Sequence, residues 1–181
     1  MTRIESSLQD CFYIAPPQFK DARGVFCETY NHQAFQKATG LEIDFVQDNQ
    51  SVSQYGVLRG LHFQRGPMAQ AKLVRVAHGV VLDVVVDLRP NSKTYGAHFT
   101  IELSAENGRQ LFVPKGFAHG FVTLSETAIF CYKCDAFYDK TSEGGIRYND
   151  ATLAIDWHLP KEVLLISEKD KELPLFTDLT T

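Results

Sequence analysis

No stretch of the 181-residue chain reaches the roughly 18 consecutive apolar residues that a membrane-spanning helix needs. A membrane partner is therefore not expected. A basic surplus is missing too: 18 Lys and Arg stand against 22 Asp and Glu, for a net charge of −4 and a pI near 5.8. No global basic field suits nucleic acid, although the 18 cations leave room for a local pocket that binds a small anion. The opening stretch MTRIESSLQD is polar and carries acids, and it lacks the apolar core of a signal peptide. Only four cysteines occur, at positions 11, 27, 131 and 134, too few for a disulfide framework in a chain of this length. Reduced thiols in a cytoplasmic protein are the expectation. Internal repeats, low-complexity tracts and Pro/Ser-rich linkers are also absent, as is a G-x-G-x-x-G dinucleotide fingerprint.

What is present fits a single domain over residues 1–181. With 44% hydrophobic and 22% charged residues, the composition is that of a soluble globular protein able to bury a sizeable core. From FVQDNQSVS to FCYKCDAFY the chain reads as short strands separated by Gly, Pro and Asn turns. KLVRVAHGVVLDVVVDLR is rich in Val and is split by Gly79 into two strands. HFTIELS, RQLFVP, GFVTL and TAIFCYKC follow at short intervals. Such spacing predicts a mainly β protein, an antiparallel sandwich or barrel of jelly-roll type. Helical signals lie outside this block: Asn31 can cap HQAFQKATG with Gly40 as its stop, and SEKD (Ser167 to Asp170) has capping-box spacing.

Cys131-Tyr132-Lys133-Cys134 has C-x-x-C spacing, which can signal a redox dithiol or half of a zinc site. In a strand, however, successive side chains alternate faces. Cys131 and Lys133 then share one face, and Phe130, Tyr132 and Cys134 the other. Structural zinc also wants a second pair, and Cys11 and Cys27 are isolated. The thiols read as incidental. Tyr132 reads as core, or as a proton donor if it points into a small barrel.

Polar residues interrupt several apolar strands. In GVLRGLHFQ, His62 and Gln64 share a face, and a bulge at Gly60 would bring Arg59 onto the same one. A lone His is usually a hydrogen-bonded core residue, but burying Arg and His together is costly without a purpose. Lys72 lies on the face of Val74 and Val76, as a snorkelling lysine or as a cation inside a pocket. Gln47, Asn49 and Ser51 form a polar stripe at period two, either a solvent face or a hydrogen-bonding wall. PKGFAHG resembles the second motif of metal-binding cupins through Pro114, Gly116 and His119. The first motif wants His-x-His, whereas this chain has His62-Phe63-Gln64. No metal is expected, although a cupin jelly roll is.

Taken in order, DARGVFCETY, FVQDNQSVS, GVLRGLHFQ, AKLVRV, VDLRPNSKTYG, QLFVPKGFAHGF, YKCDAFY, EGGIRYND and ISEKD resemble the dTDP-4-dehydrorhamnose 3,5-epimerase family along nearly the whole chain. The resemblance implies a cupin-type jelly-roll homodimer without metal or organic cofactor, acting on a dTDP-linked 4-keto-6-deoxy sugar. It makes His62 the base, Asp170 its carboxylate partner, Tyr132 the acid, and Lys72 a neighbour of the sugar ketone. Arg23, Glu28, Gln47, Asn49, Arg59, His119, Glu143 and Lys169 become substrate contacts, and Tyr138 the aromatic that stacks on the base. Read as residues alone, Asp170 serves equally as a helix cap, Tyr138 as a surface aromatic and Glu143 as a loop acid. A C3-specific epimerase of a related sugar, a binding module and a metal-binding cupin are the alternatives.

Overall fold

The computed structural model describes residues 1–179 of the chain. In order, the elements are β1 (Thr2–Glu5), β2 (Phe12–Ala15), β3 (Gln18–Asp21), β4 (Gly24–Cys27), α1 (His32–Thr39), β5 (Gln47–Gln54), β6 (Val57–Gln64), β7 (Lys72–His78), β8 (Val80–Asp87), β9 (His98–Ser104), β10 (Gln110–Val113), β11 (Phe117–Thr123), β12 (Thr127–Cys134), β13 (Glu143–Gly145), β14 (Leu165–Ile166) and α2 (Glu168–Lys171). One sheet runs β1-β2-β10-β7-β12-β5, the other β13-β6-β11-β8-β9, with β14 alongside β6. From β5 to β12 the chain passes back and forth between two antiparallel sheets in jelly-roll order, with β8 and β9 adjacent in one of them. This is the architecture expected from the strand spacing. The strands before Phe45, and β13 and β14, carry too little periodicity to be read from sequence.

Alternation along the strands sorts the side chains into layers. On β8, Val81 and Val85 enter the barrel core with Val74, Val76, Phe121 and Phe130. Leu82, Val84 and Val86 point to a second core, beneath Ile146, Tyr148, Leu153 and Trp157 of the segment after β13. This segment covers the outer face of one sheet, which explains why β8 and β11 are buried almost throughout rather than on alternate residues. Helix α1 covers the other sheet, with Phe35 packed among Phe12, Leu73 and Phe112. Its ends follow the sequence signals: Asn31 accepts from the Ala34 N–H at 3.0 Å, and Gly40 takes a left-handed φ of 73°.

Two features set up the site. Between His119 and Phe121 of β11, β6 advances from His62 to Arg59, so that β6 carries one extra residue at Gly60. That bulge puts Arg59 and His62 on the inner face while Leu58 and Leu61 stay in the outer core. Gly60 has φ 121°, and a Cβ there would lie 2.6 Å from Gly120 Cα and 2.8 Å from the His119 carbonyl oxygen. The second feature is the ribbon of β3 and β4, which pairs with neither sheet and exposes Phe19, Val25 and Phe26 (59%, 57% and 68%).

Gly24 offers a control for Gly60, since it has a similar φ of 127° but a Cβ there would meet no atom within 4 Å. Gly60→Ala is expected to cost more than Gly24→Ala, by the 1–3 kcal/mol or so typical of overpacking. Denaturant midpoints of the two variants measure this. Equal losses would remove close packing as the reason for glycine at position 60.

Candidate active site

The barrel encloses a cavity of about 470 Å³. Arg59 and His62 reach it from β6, Lys72 from β7, His119 from β11, Tyr132 from β12 and Asp170 from α2. A smaller cavity of about 190 Å³ shares His62, Lys72 and Tyr132 with it and adds Gln47, Asn49, Tyr138 and Glu143. The stripe on β5 is therefore a polar wall, with Gln47 and Asn49 on the smaller cavity and Ser51 on the larger. His62 belongs to one sheet and Tyr132 to the other, so they face the space from opposite walls.

His62 Nε2 lies 2.7 Å from Asp170 Oδ1, and Asp170 Oδ2 accepts from the Gly60 N–H at 3.2 Å. The capping spacing is used as well, but by the other residue: Ser167 Oγ accepts from the Asp170 N–H at 3.1 Å. Asp170 thus sits in the first turn of α2 and spends its carboxylate on His62. Burial pushes that carboxyl's pKa up, but the His62 and Gly60 bonds outweigh burial and leave it below the usual range. An ionised Asp170 places the His62 proton on Nε2 and leaves Nδ1 able to accept one.

Burial, reinforced by Cys134 and opposed by Arg59, holds the Tyr132 phenol above its ordinary pKa. It remains protonated at neutral pH and can donate. Lys72 stands 5.9 Å from the Tyr132 ring centre, and burial pulls its pKa down. The arrangement supplies a group able to accept a proton and one able to donate it across one cavity, which Lys72 also lines.

Around these groups, Arg59 Nε donates to Ser53 Oγ at 3.1 Å. Gln47 Nε2 donates to Asn49 Oδ1 at 3.0 Å and Gln47 Oε1 accepts from the Tyr138 N–H at 2.9 Å. Glu143 Oε2 takes bonds from Tyr138 Oη at 3.3 Å and Lys169 Nζ at 2.6 Å. Tyr138 is 56% exposed, leaving its ring open to stacking. Arg23 and Glu28 are not brought in. The Arg23 side chain is 90% exposed and pairs with Asp21 at 2.6 Å, and Glu28 is exposed just after β4. Neither lines the cavities.

Asp83 and Ser53 escaped the sequence reading. Asp83 is fully buried, with both carboxylate oxygens 3.0 Å from His119 Nε2. Its signal was available: a lone acid at period two with Val81 and Val85. The cysteines behave as strand alternation requires. Among the described residues all four are free, Cys131 bonding to Gln50 on one face and Cys134 lying 3.8 Å from Asn49 Nδ2 on the other. Burial pushes the Cys134 thiol up to about 11, far from a reactive thiolate. No group of three or more His, Cys, Asp or Glu among the described residues has the geometry to hold a metal ion.

A family model described as dTDP-4-dehydrorhamnose 3,5-epimerase matches residues 5–178. The curated dTDP-4-dehydrorhamnose 3,5-epimerase of Salmonella typhimurium is 50% identical over 178 residues, 97% of this chain and 95% of that protein. The crystal structure of dTDP-4-dehydrorhamnose 3,5-epimerase from Elizabethkingia anophelis superimposes with a TM-score of 0.94 at 56% identity, covering 98% of this chain and 97% of that one. That of dTDP-6-deoxy-D-glucose-3,5-epimerase from Legionella pneumophila, in complex with dTDP-4-keto-L-rhamnose, gives 0.94 at 43% identity, covering 99% and 94%. The cupin-type jelly roll expected from the sequence is the fold of these neighbours.

A carboxyl held below its usual pKa stabilises the fold above the unfolded value, about 4. That contribution disappears as pH falls through the lower folded value. Asp170→Asn is therefore expected to lose about 1.5–3 kcal/mol at pH 7, the scale of a hydrogen bond to a charged group. The deficit relative to the unsubstituted chain should shrink below about pH 4. Urea unfolding at both pH values measures it, and a deficit that does not change with pH would contradict the ionised dyad.

Proposed function

The chain belongs to the dTDP-4-dehydrorhamnose 3,5-epimerase family, and from that membership we propose a mechanism, a substrate and an assembly. It is an isomerase, a carbohydrate epimerase. The substrate is dTDP-4-dehydro-6-deoxy-D-glucose, inverted at C3 and C5 to dTDP-4-dehydro-L-rhamnose. The observation that carries the mechanism is the His62–Asp170 pair and Tyr132 on opposite walls of one cavity.

The C4 ketone acidifies the hydrogens on C3 and C5. His62 Nδ1 takes the proton from C3, and the C–H electrons move into the C4 oxygen as an enolate. Tyr132 returns a proton to C3 from the other face, collapsing the enolate to the ketone with inverted configuration. The phenolate regains a proton from water and the imidazolium loses one to it, so no net proton is consumed. The same steps then invert C5. Asp170 fixes the tautomer of His62 and stabilises its imidazolium, and Lys72 stabilises the enolate oxygen. Only protons move, so the scheme needs neither nicotinamide nor metal.

Arg59 binds the diphosphate, and Tyr138 stacks on the thymine. Gln47, Asn49, His119, Glu143 and Lys169 complete the contacts from one chain. Arg23 and Glu28 lie outside their own cavity on a ribbon with three exposed apolar residues. A large exposed apolar surface on a ribbon that pairs with neither sheet suits a protein interface. In our reading the protein is a homodimer in which each ribbon brings Arg23 and Glu28 to the partner's substrate. Residues 1–181 form one domain, of which the last two lie outside the described residues. A cytoplasmic location suits work on a nucleotide-activated sugar, and we expect no nucleic-acid or membrane partner.

Two experiments test this reading. Turnover of the 4-keto sugar nucleotide in deuterated water is expected to place solvent label at both C3 and C5. Label at C3 alone would contradict the 3,5 assignment and favour a C3-specific epimerase. Separately, mixing the inactive Arg23→Ala and Lys72→Met variants should restore about a quarter of native activity, through hybrid dimers that keep one complete site, if exchange is random. No recovery, or a monomer on sedimentation, would remove the shared site.

A further inference from the structure

Asp83 has no role in the scheme above, yet it is fully buried beside His119, which lines the cavity. On β8 it takes the barrel-facing register of Val81 and Val85, where another valine would continue the pattern at no electrostatic cost. A carboxylate taken out of water costs several kcal/mol unless its partners replace the hydration. Its partner is His119, whose Nε2 lies 3.0 Å from both oxygens. Joining the strands does not require this bond, because β8 and β11 are already paired from Phe117↔Asp87 to Thr123↔Val81. The pair instead leaves His119 Nδ1 without a protein partner among the described residues.

Lys72 enters the same cavity from the other sheet, and its Nζ makes no hydrogen bond or ion pair among the described residues. The titratable groups around it are Tyr132 and Cys134 from β12, Asp83 from β8, His119 from β11, His62 from β6 and Glu143 from β13. Of the two carboxylates that bear on it, Glu143 is already paired with Lys169 at 2.6 Å. Asp83 is the other: burial pushes its pKa up, and His119 and then Lys72 act against that push. Burial pulls the Lys72 pKa down, and Cys134, Asp83 and Glu143 act against that pull.

We propose that Asp83 is a positioning residue for the epimerisation, holding His119 and a charged Lys72 at the inner end of the cavity as paired donors toward the sugar's developing enolate oxygen. The inference rests on the reading of Lys72 as the group beside that oxygen. Asp83 does not touch the substrate; it acts through the two side chains that do.

The pH dependence of kcat with the 4-keto sugar nucleotide tests this. Asp83→Asn removes the anion that favours the protonated lysine. Its kcat is expected to fall on the order of 10²-fold, between the losses typical of an outer-shell partner and of a triad aspartate. KM should change less, and the alkaline limb of the profile should move to lower pH. A limb that stays in place, whatever the drop in kcat, would overturn the proposal, because a merely structural role leaves it there. For an Asp83→Asn chain that does not fold, the intact protein supplies the readout. Its Lys72 signal in ε-¹³C-lysine NMR, identified by its loss in Lys72→Met, is expected to be that of an ammonium at pH 7, and an amine there overturns the idea. Lys72→Met distinguishes the two layers. Undiminished turnover refutes the role of Lys72 itself, whereas a severe loss beside an unmoved Asp83→Asn limb refutes only that of Asp83.

Discussion

Keeping a carboxylate ionised inside a protein costs several kcal/mol unless hydrogen bonds stand in for its water, and Asp170 meets that requirement through two donors from β6. One is the ring of His62, the other the N–H of Gly60. Both depend on the same local event, the extra residue at the β6 bulge. The bulge turns Arg59 and His62 inward together and aims a backbone N–H at α2. Ser167 completes the arrangement by capping the Asp170 N–H, so that a four-residue helix is anchored at its first turn. Without the bulge, His62 and Arg59 would face opposite sides of the sheet, and the dyad would lose its second donor.

The barrel then separates tasks by sheet. His62 stands on β6 of one sheet and Tyr132 on β12 of the other. An epimerase needs this separation, since removal and return of a proton must occur on opposite faces of one carbon. Burial keeps the Tyr132 phenol protonated and pulls the Lys72 pKa down.

Much of this was legible in the residues. The eight central strands follow from alternation and turn residues, and α1 from Asn31 and Gly40. Alternation on β12, with no second cysteine pair, disposes of the C-x-x-C pattern, and the structure turns Tyr132 to the cavity. The four strands before Phe45 were not legible, because each is four residues long and three of them are mostly exposed, so pairing partners rather than local pattern define them. Read as residues alone, Asp170 fits cap and dyad equally because Ser-x-x-Asp spacing serves both; the family resemblance points to the dyad, and the position of β6 brings the bond to His62. Asp83 was overlooked because one acid in a valine run looks like an interruption, although its period matched the inward face. Arg23 and Glu28, which the family resemblance makes substrate contacts, lie away from the cavities of this chain.

The division of labour between His62 and Tyr132 can be read directly by following C3 of the 4-keto sugar nucleotide in deuterated water, separating exchange of its hydrogen from inversion of its configuration. Tyr132→Phe should still exchange the C3 hydrogen, returning solvent label to the original face with little inverted product, while His62→Asn should show neither exchange nor inversion. Equal loss of exchange and inversion in Tyr132→Phe, or exchange persisting in His62→Asn, would contradict a base and an acid on opposite walls of the cavity.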